Sequence, residues 1–308
     1  MSIFKKVFNK NTAKHFAKPI IGYVSKIIYF LLKVINFIFE KLFNKNIVLW
    51  IKYYIEQDAY KKIKLKSGKD LVFFSPNYLI DLLVRDFYKK EPETLQWIDN
   101  FKREKKIIFW DIGSNIGLYS IYAAASIENI EVISFEPSTS NLRVLSRNIS
   151  INHLENKIKI FQIPVGINKN NFVEFNEGKF QEGECNNSID RNINFEGKEM
   201  KSANNYKIFS TNIDQVIDDK ILDIPDYIKI DVDGVEHLIL KGGAKLFKNP
   251  KILEIQIEIN ENYIYQYNSI LKLMEEYSFK FKEKKRNDSS DYYNDIKFSK
   301  IYNYYFTR

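Results

Sequence analysis

Two short stretches gather the residue types that chemistry needs. In Asp111-Ile-Gly-Ser-Asn-Ile-Gly117, the apolar run Ile107 to Trp110 empties into an acid and a turn punctuated by Gly113, Asn115 and Gly117. Glycine tolerates positive φ and close approach, asparagine tolerates the left-handed region, and the free amides of a following helix face whatever sits above them. In Asp231-Val-Asp-Gly-Val-Glu-His237, Asp231, Asp233, Glu236 and His237 follow the strand Tyr227 to Ile230. Such groups can position a nucleophile and take its proton.

The first stretch describes a nucleotide-like ligand whose charge can be read from the loop. A dinucleotide fingerprint needs G-x-G-x-x-G to clear a pyrophosphate. Here Asn115 and Leu118 hold the second and third glycine positions, and Asp111 stands at the strand end. A carboxylate there suits positive charge, such as the ammonium and sulfonium of S-adenosylmethionine. A second strand, Glu131 to Phe135, ends in Glu136-Pro137, nineteen residues after Gly117. An acid at that spacing can chelate a ribose diol. Alone, an acid at a strand end is more often a solvated turn or a helix cap; the two features in β-α-β order carry more weight.

With these residues, Asp111 to Ser120, Phe135-Glu-Pro137 and Tyr227 to Gly243, the chain resembles the FkbM family of S-adenosylmethionine-dependent methyltransferases. The resemblance runs from about Arg85 to Glu258, with a tail to Arg308, and includes the lead-in Lys90-Glu-Pro-Glu-Thr-Leu-Gln-Trp-Ile98. Asp233 stands where the family usually has Glu, and His237 where an apolar or acidic residue is frequent. The resemblance implies a class I, Rossmann-like methyltransferase with a seven-stranded sheet and an antiparallel last strand. It also implies oxygen methylation of a sugar, a surface-glycan precursor or a secondary metabolite.

The expected cofactor contacts follow from these positions. Glu136 holds the ribose hydroxyls, the backbone from Gly113 through Asn115 to Gly117 approaches the methionine moiety, and Asp111 orients its amino end. Pro137 follows the ribose acid, and Val165, within Pro164 to Gly166, lines the adenine side. At the second stretch Asp231 positions cofactor or acceptor, and Glu236 and His237 are the candidate bases. The plainer alternatives are that Asp233 caps the following helix and His237 only packs. Nucleic-acid methylation would want an Asn- or Asp-Pro-Pro-aromatic motif for exocyclic amines, which the sequence lacks, so no nucleic-acid partner is expected. The competing functions are a nucleic-acid or protein methyltransferase, or a non-catalytic membrane-associated adapter that keeps the fold.

The elements that must position these groups alternate: strand 107–110, helix 116–126, strand 131–135, helix 138–150, strand 158–163, strand 227–230, a helix to about 247 and strand 251–258. This is a doubly wound, mostly parallel α/β sheet. A helix over 262–277 and strands near 279–284 and 301–306 finish it. Before it, residues 53–100 read as a hairpin over 61–74, at the edge or mouth of the sheet, and helices 81–88 and 92–101, with Pro92 suited to a first helical turn. Residues 166–206 break the rhythm with asparagine and glycine. This insertion in the methyltransferase domain, 101–308, is either a substrate-contacting lid or hairpin, or a surface excursion.

The net charge of +8 belongs to one end. Residues 1–52 carry ten lysines against Glu40, and the rest of the chain holds 37 basic and 38 acidic groups. The basicity therefore bears on location rather than on substrate. From Ile20 to Phe39, polar residues recur in steps of three and four, as in an amphipathic helix with a wide apolar face. Its apolar residues favour the bilayer by roughly 0.3 to 0.6 kcal/mol each, while Lys26 and Lys33 near the centre cost about 2.5 to 3.5 each, so spanning gains almost nothing. The pattern suits a helix lying on anionic lipid, on the inner face of the cytoplasmic membrane; the alternatives are that it packs on the enzyme itself or on a second copy, or that it spans the bilayer. One cysteine, Cys185, and three scattered histidines allow no disulfide and no zinc spacing, so a reducing, cytoplasmic setting without a structural metal is expected.

Overall fold

The computed structural model describes residues 10–102, 104–189, 193–199, 202–287 and 298–308. The chain divides into two units, Met1–Ala59 and Tyr60–Arg308. The boundary falls later than the expected 52, because one helix runs through that position. The lead-in 53–100 is no separate body, since its hairpin and helices belong to the second unit.

The first unit is a pair of helices, α1 (Lys10–Phe43) and α2 (Ile47–Gln57). The chain reverses at Asn44, whose φ is +49°, and Asn46 caps α2 by accepting from the amide of Leu49. Asn36 accepts from the amide of Val48 at 3.2 Å, which ties the two helices together. From Pro19 to Phe43, α1 is long and apolar enough to cross a membrane by length and composition. Ile27, Ile28, Phe30, Leu31, Phe37 and Leu42 on it are exposed, as are Trp50, Tyr53 and Tyr54 on α2.

The second unit opens with the hairpin β1 (Tyr60–Lys64) and β2 (Asp70–Phe74), then α3 (Tyr78–Arg85), α4 (Phe87–Lys90) and α5 (Pro92–Asp99), with Pro92 in the first turn. The core alternates β3 (Ile107–Ile112), α6 (Leu118–Ser126), β4 (Ile130–Phe135), α7 (Thr139–Ile151) and β5 (Ile158–Phe161). Of the two places expected for the hairpin, the edge or the mouth of the sheet, it does not take the edge: it forms a sheet of its own and docks on α7. Asn148 Oδ1 accepts from the amide of Phe74 at 2.7 Å, while Asn152 accepts from the amide of Val72 at 2.9 Å and donates to its carbonyl at 2.7 Å. Two asparagines thus pair with the open edge of β2 much as a neighbouring strand would.

The insertion is a sheet of its own. β6 (Val165–Gly166), β7 (Asn171–Glu177), β8 (Asn187–Ile189) and β9 (Asn204–Asn212) order as β6-β9-β7-β8, with β7 antiparallel to both neighbours. Residues 190–192 and 200–201 of it lie outside the described residues. Asparagine is depleted in strands, so its frequency masks the alternation carried by Val173 and Phe175, which are buried.

The chain then returns through α8 (Ile213–Asp218), β10 (Tyr227–Ile230), α9 (Glu236–Gly242), α10 (Ala244–Phe247), β11 (Glu254–Asn260), α11 (Ile264–Glu276), β12 (Lys280–Lys285) and β13 (Ile301–Thr307). The main sheet has seven strands in the order β12-β13-β11-β10-β3-β4-β5, parallel except where β13 pairs antiparallel with β11 and β12. On one face Trp110, Ile112, Ile228, Ile230, Ile255 and Ile257 pack with Leu240, Phe247 and Met274. The other face carries a polar row. Ser134, Asp111, Lys229, Gln256 and Tyr305 are register partners on β4, β3, β10, β11 and β13, and all are buried. Strands of a doubly covered parallel sheet are ordinarily continuous apolar runs, so this row marks the face on which the polar chemistry is built.

Candidate active site

Alternation along a strand carries the polar row upward to the carboxyl ends. Two residues beyond Asp111 is Gly113, two beyond Lys229 is Asp231, and two beyond Gln256 is Glu258. Gly113, Asp231 and Glu258 line one cleft above the sheet, where ligands of such folds collect.

Toward β3 and β4 the cleft is built from backbone. Gly113 has φ +88°, and a Cβ there would lie 1.8 Å from the carbonyl oxygen of Asp231, so the loop closes against the end of β10 only through glycine. Asn115 holds φ +50°. Glu136 is buried, and its two oxygens accept from the amides of Asn115 at 2.8 Å and Ser138 at 2.9 Å. Burial pushes its carboxyl up to about 7 against those hydrogen bonds. Phe135, Pro137, Ile163, Val165 and Phe175 line the cleft beside it.

Two residues of the first stretch lie behind the cleft rather than in its lining. Asp111 is fully buried and accepts from Ser120 Oγ at 2.6 Å, and Ser120 in turn accepts from Ser134 at 2.7 Å. Burial raises its carboxyl, Lys229 opposes the shift, and its Oδ1 takes no hydrogen bond. Gly117 caps α6 at φ +85°, where a Cβ would meet Leu145 on α7 at 2.4 Å. Its smallness serves helix packing, and it does not line the cleft. The side chain of Asn115 reaches the insertion instead, donating to the carbonyls of Gly183 and Glu184 at 3.3 and 3.2 Å. Asn141 on α7 grips the same loop, accepting from the amide of Gly183 at 2.8 Å and donating to Glu184 at 3.1 Å. Glu184, Cys185 and Ile189 therefore line the cleft.

Toward β10 and β11 the cleft is built from charge. Lys229 is 1% exposed, and its Nζ lies 2.7 Å from Asp231 Oδ2. Burial works against that ammonium, but Asp231, Asp111 and Glu91 outweigh it and raise its pKa. Burial likewise opposes the charge of Asp231, yet Lys229 holds it below the usual carboxylate range. Oxygens of Glu91, Asp231 and Glu258 lie within 4.8 Å of one another. Lys90 Nζ stands 3.2 Å from Glu91, so two of these three carboxylates already face an ammonium. Glu258 is raised well above the usual range by burial, with Asp231 and Glu91 adding to the shift. Asp233, in the left-handed region at φ +57°, is raised by burial and then by Asp231 and Glu236.

The expected bases stand elsewhere. Glu236 opens α9 and turns its carboxylate back on its own loop, accepting from the amides of Val232 at 3.1 Å and Gly234 at 3.2 Å and from Gln266. Burial pushes it up to about 7, but it holds the Asp231–Gly234 turn and does not line the cleft. Asp233 does not cap α9 as the plainer reading had it, since the N-cap is Val235 and no side chain caps it. His237 is fully buried, edge-on to Tyr263 and Tyr265 at 6.3 and 5.5 Å, and packs outside the cleft. Sequence reasoning missed Lys229, Glu258, Lys90 and Glu91. For the first two the signal was present: Lys229-Ile-Asp231 and Glu254-Ile-Gln-Ile-Glu258 alternate polar with apolar, so each strand turns a polar face to one side. Lys90 and Glu91 arrive from the lead-in by tertiary packing alone.

The family model of the methyltransferase FkbM domain matches residues 111–281, more than half of the chain. Among solved structures, the chain is similar to the FkbM methyltransferase of Methylobacillus flagellatus KT, with 14% identity over 75% of this chain and 62% of that one and a TM-score of 0.42. It is also similar to a precorrin-6y C5,15-methyltransferase of Geobacter metallireducens GS-15, with 10% identity, 71% and 86% of the two chains covered and a TM-score of 0.42. TrmK of M. capricolum in complex with S-adenosylhomocysteine gives 12% identity, coverage of 69% and 66%, and a TM-score of 0.38. No curated protein matches the sequence significantly. The match over Asp111 to Phe281 places this chain in the FkbM family, and it is an S-adenosylmethionine-dependent methyltransferase.

Proposed function

We propose that the chain methylates a hydroxyl oxygen of a sugar, a surface-glycan precursor or a secondary metabolite. The observation that carries this reading is the division of the cleft. One part is apolar around the buried Glu136, and the other brings together Lys90, Lys229, Asp231, Asp233 and Glu258, with Lys229 over the ring of Tyr119. Such a charged end suits an acceptor rich in hydroxyls, whose donors and acceptors it can satisfy. The cofactor supplies an electrophilic methyl group. The residues present fit it: Gly113, Ser114 and Asn115 line the cleft, Asp111 Oδ1 behind them is a buried acceptor without a partner, and Glu136 stands at the strand end a ribose would reach.

Beyond residue 52 the chain is nearly neutral, which gives no support to a nucleic-acid acceptor. Methyl transfer from labelled cofactor into glycan, RNA and protein fractions of a cell extract tests the reading. Label confined to glycans or small hydroxylated metabolites supports it; label entering RNA or protein overturns it.

The exposed apolar surface of α1 and the lysines around it support a second element of the proposal, attachment to the inner face of the cytoplasmic membrane. Flotation with anionic vesicles checks this. The full chain should rise with the vesicles and a fragment starting at Tyr60 should not; equal behaviour of the two would overturn the attachment.

A further inference from the structure

We propose that Glu258, at the end of β11, is the base that takes the proton of the acceptor hydroxyl, while Asp231 positions the acceptor and Lys229 fixes Asp231. The inference deepens the hydroxyl-methylation reading and rests on it. Its first support is geometric. Glu258 lines the cleft beside Asp231, two residues along its strand from the buried polar row, with an oxygen within 4.8 Å of oxygens of Asp231 and Glu91.

Its second support is elimination among Glu236, His237 and Asp231, the groups the sequence offered as bases and positioner. Glu236 spends its carboxylate on the amides of Val232 and Gly234, and His237 packs outside the cleft. Asp231 is drawn below the ordinary carboxylate range by Lys229 at 2.7 Å, which makes it a weak base. Glu258 is pushed the other way, by burial and by its acidic neighbours. The charged or titratable groups that face it are Asp231 and Asp233 from the β10 end, Lys90 and Glu91 from the lead-in, Lys229 and Tyr119 beneath, and Glu184 and Cys185 from the insertion.

In the transfer the acceptor oxygen forms a bond to the methyl carbon, and the carbon–sulfur bond breaks with its electron pair left on sulfur. The hydroxyl proton passes to the Glu258 carboxylate and from there to solvent. A carboxylate beside the transferred methyl must feel the sulfonium charge. S-adenosylmethionine should therefore expel a proton from Glu258 on binding, and the uncharged sulfur of S-adenosylhomocysteine should not.

Calorimetric titration of the full chain with each of these two probes, in buffers of differing ionisation enthalpy at pH 7, counts the protons released. The wild type should release more with the sulfonium. Glu258→Gln should abolish that difference, keep its S-adenosylhomocysteine affinity within about twofold, lower labelled-methyl transfer to the glycan fraction about 100-fold, and lose the rise of rate with pH. Glu258→Asp, with the carboxylate kept, should restore part of that rise. A Glu258→Gln protein that binds normally yet keeps the proton difference, or keeps the wild-type pH–rate profile, overturns the proposal. Label entering RNA or protein instead of glycans would overturn the hydroxyl reading and leave the proton count standing, so the two failures are distinguishable.

Discussion

The two ends of the cleft bury acids in opposite ways. At β3 and β4, the buried Glu136 is met by neutral donors, the amides of Asn115 and Ser138. At β10 and β11, Asp231, Glu258 and Glu91 are met by lysines and by one another. Hydrogen bonds from a backbone hold one geometry and little else, which suits recognition of a ligand of fixed shape. Charges balanced against charges can change protonation state when a third charge arrives, which suits a site that must move a proton.

Removing the cation on which the charged end is balanced should have the largest effect. Lys229→Met leaves Asp231, Asp111 and Glu91 without their shared ammonium, and breaking a buried pair in this way costs about 3 to 5 kcal/mol. The sign with pH is fixed by the shifts. Asp231, held low, contributes stability that is present above its unfolded value of about 4 and lost as pH falls through its folded one. Lys229, held high, contributes stability that is lost only as pH rises beyond its unfolded value of about 10.4. Urea unfolding should therefore show the variant's deficit at pH 7 and a smaller deficit near pH 4, where the stranded acids can protonate. An equal deficit at both would mean the lysine matters only as packing.

The backbone-built end breaks differently. Gly113→Ala places a methyl against the Asp231 carbonyl and should weaken S-adenosylhomocysteine binding about 100-fold by calorimetry, roughly 2.7 kcal/mol. Gly117→Ala is its control: it should lower the melting temperature and leave the affinity of the folded protein within about twofold. Glu136→Gln cannot accept at both amides and should cost about tenfold in affinity, near the worth of a single hydrogen bond to a charged group. Least of all, Asn115→Gly keeps the left-handed turn but drops the bonds to Gly183 and Glu184. It should weaken binding about threefold and speed hydrogen exchange at Glu184 to Asn187. Unchanged exchange there would mean the insertion needs no strap.

The sheet and most element boundaries could be read from the sequence pattern, because strands such as Ile107 to Trp110 are apolar runs closed by an acid and a glycine turn, and Tyr227 to Ile230 is an apolar strand broken only by Lys229. The insertion could not, since its strands are written largely in asparagine. At the site, residues close in sequence misled. Glu236 and His237 follow Asp231, yet the turn rotates Glu236 onto its own amides and sends His237 into the packing. Glu258 lies far along the chain but only one strand away, and its place follows from strand register rather than from any motif.

The asparagines of α7 have a consequence for solubility. A two-stranded ribbon is marginal in water and offers an open row of backbone groups to any other chain. Asn148 and Asn152 close that row on β2 from the side, so this edge of the hairpin is no longer open to a strand from a neighbouring molecule. A soluble fragment should therefore begin at Tyr60. One trimmed past Phe74 would strip the cover from α7, and Asn148→Ala should reveal itself first as aggregation at high concentration rather than as a loss of binding.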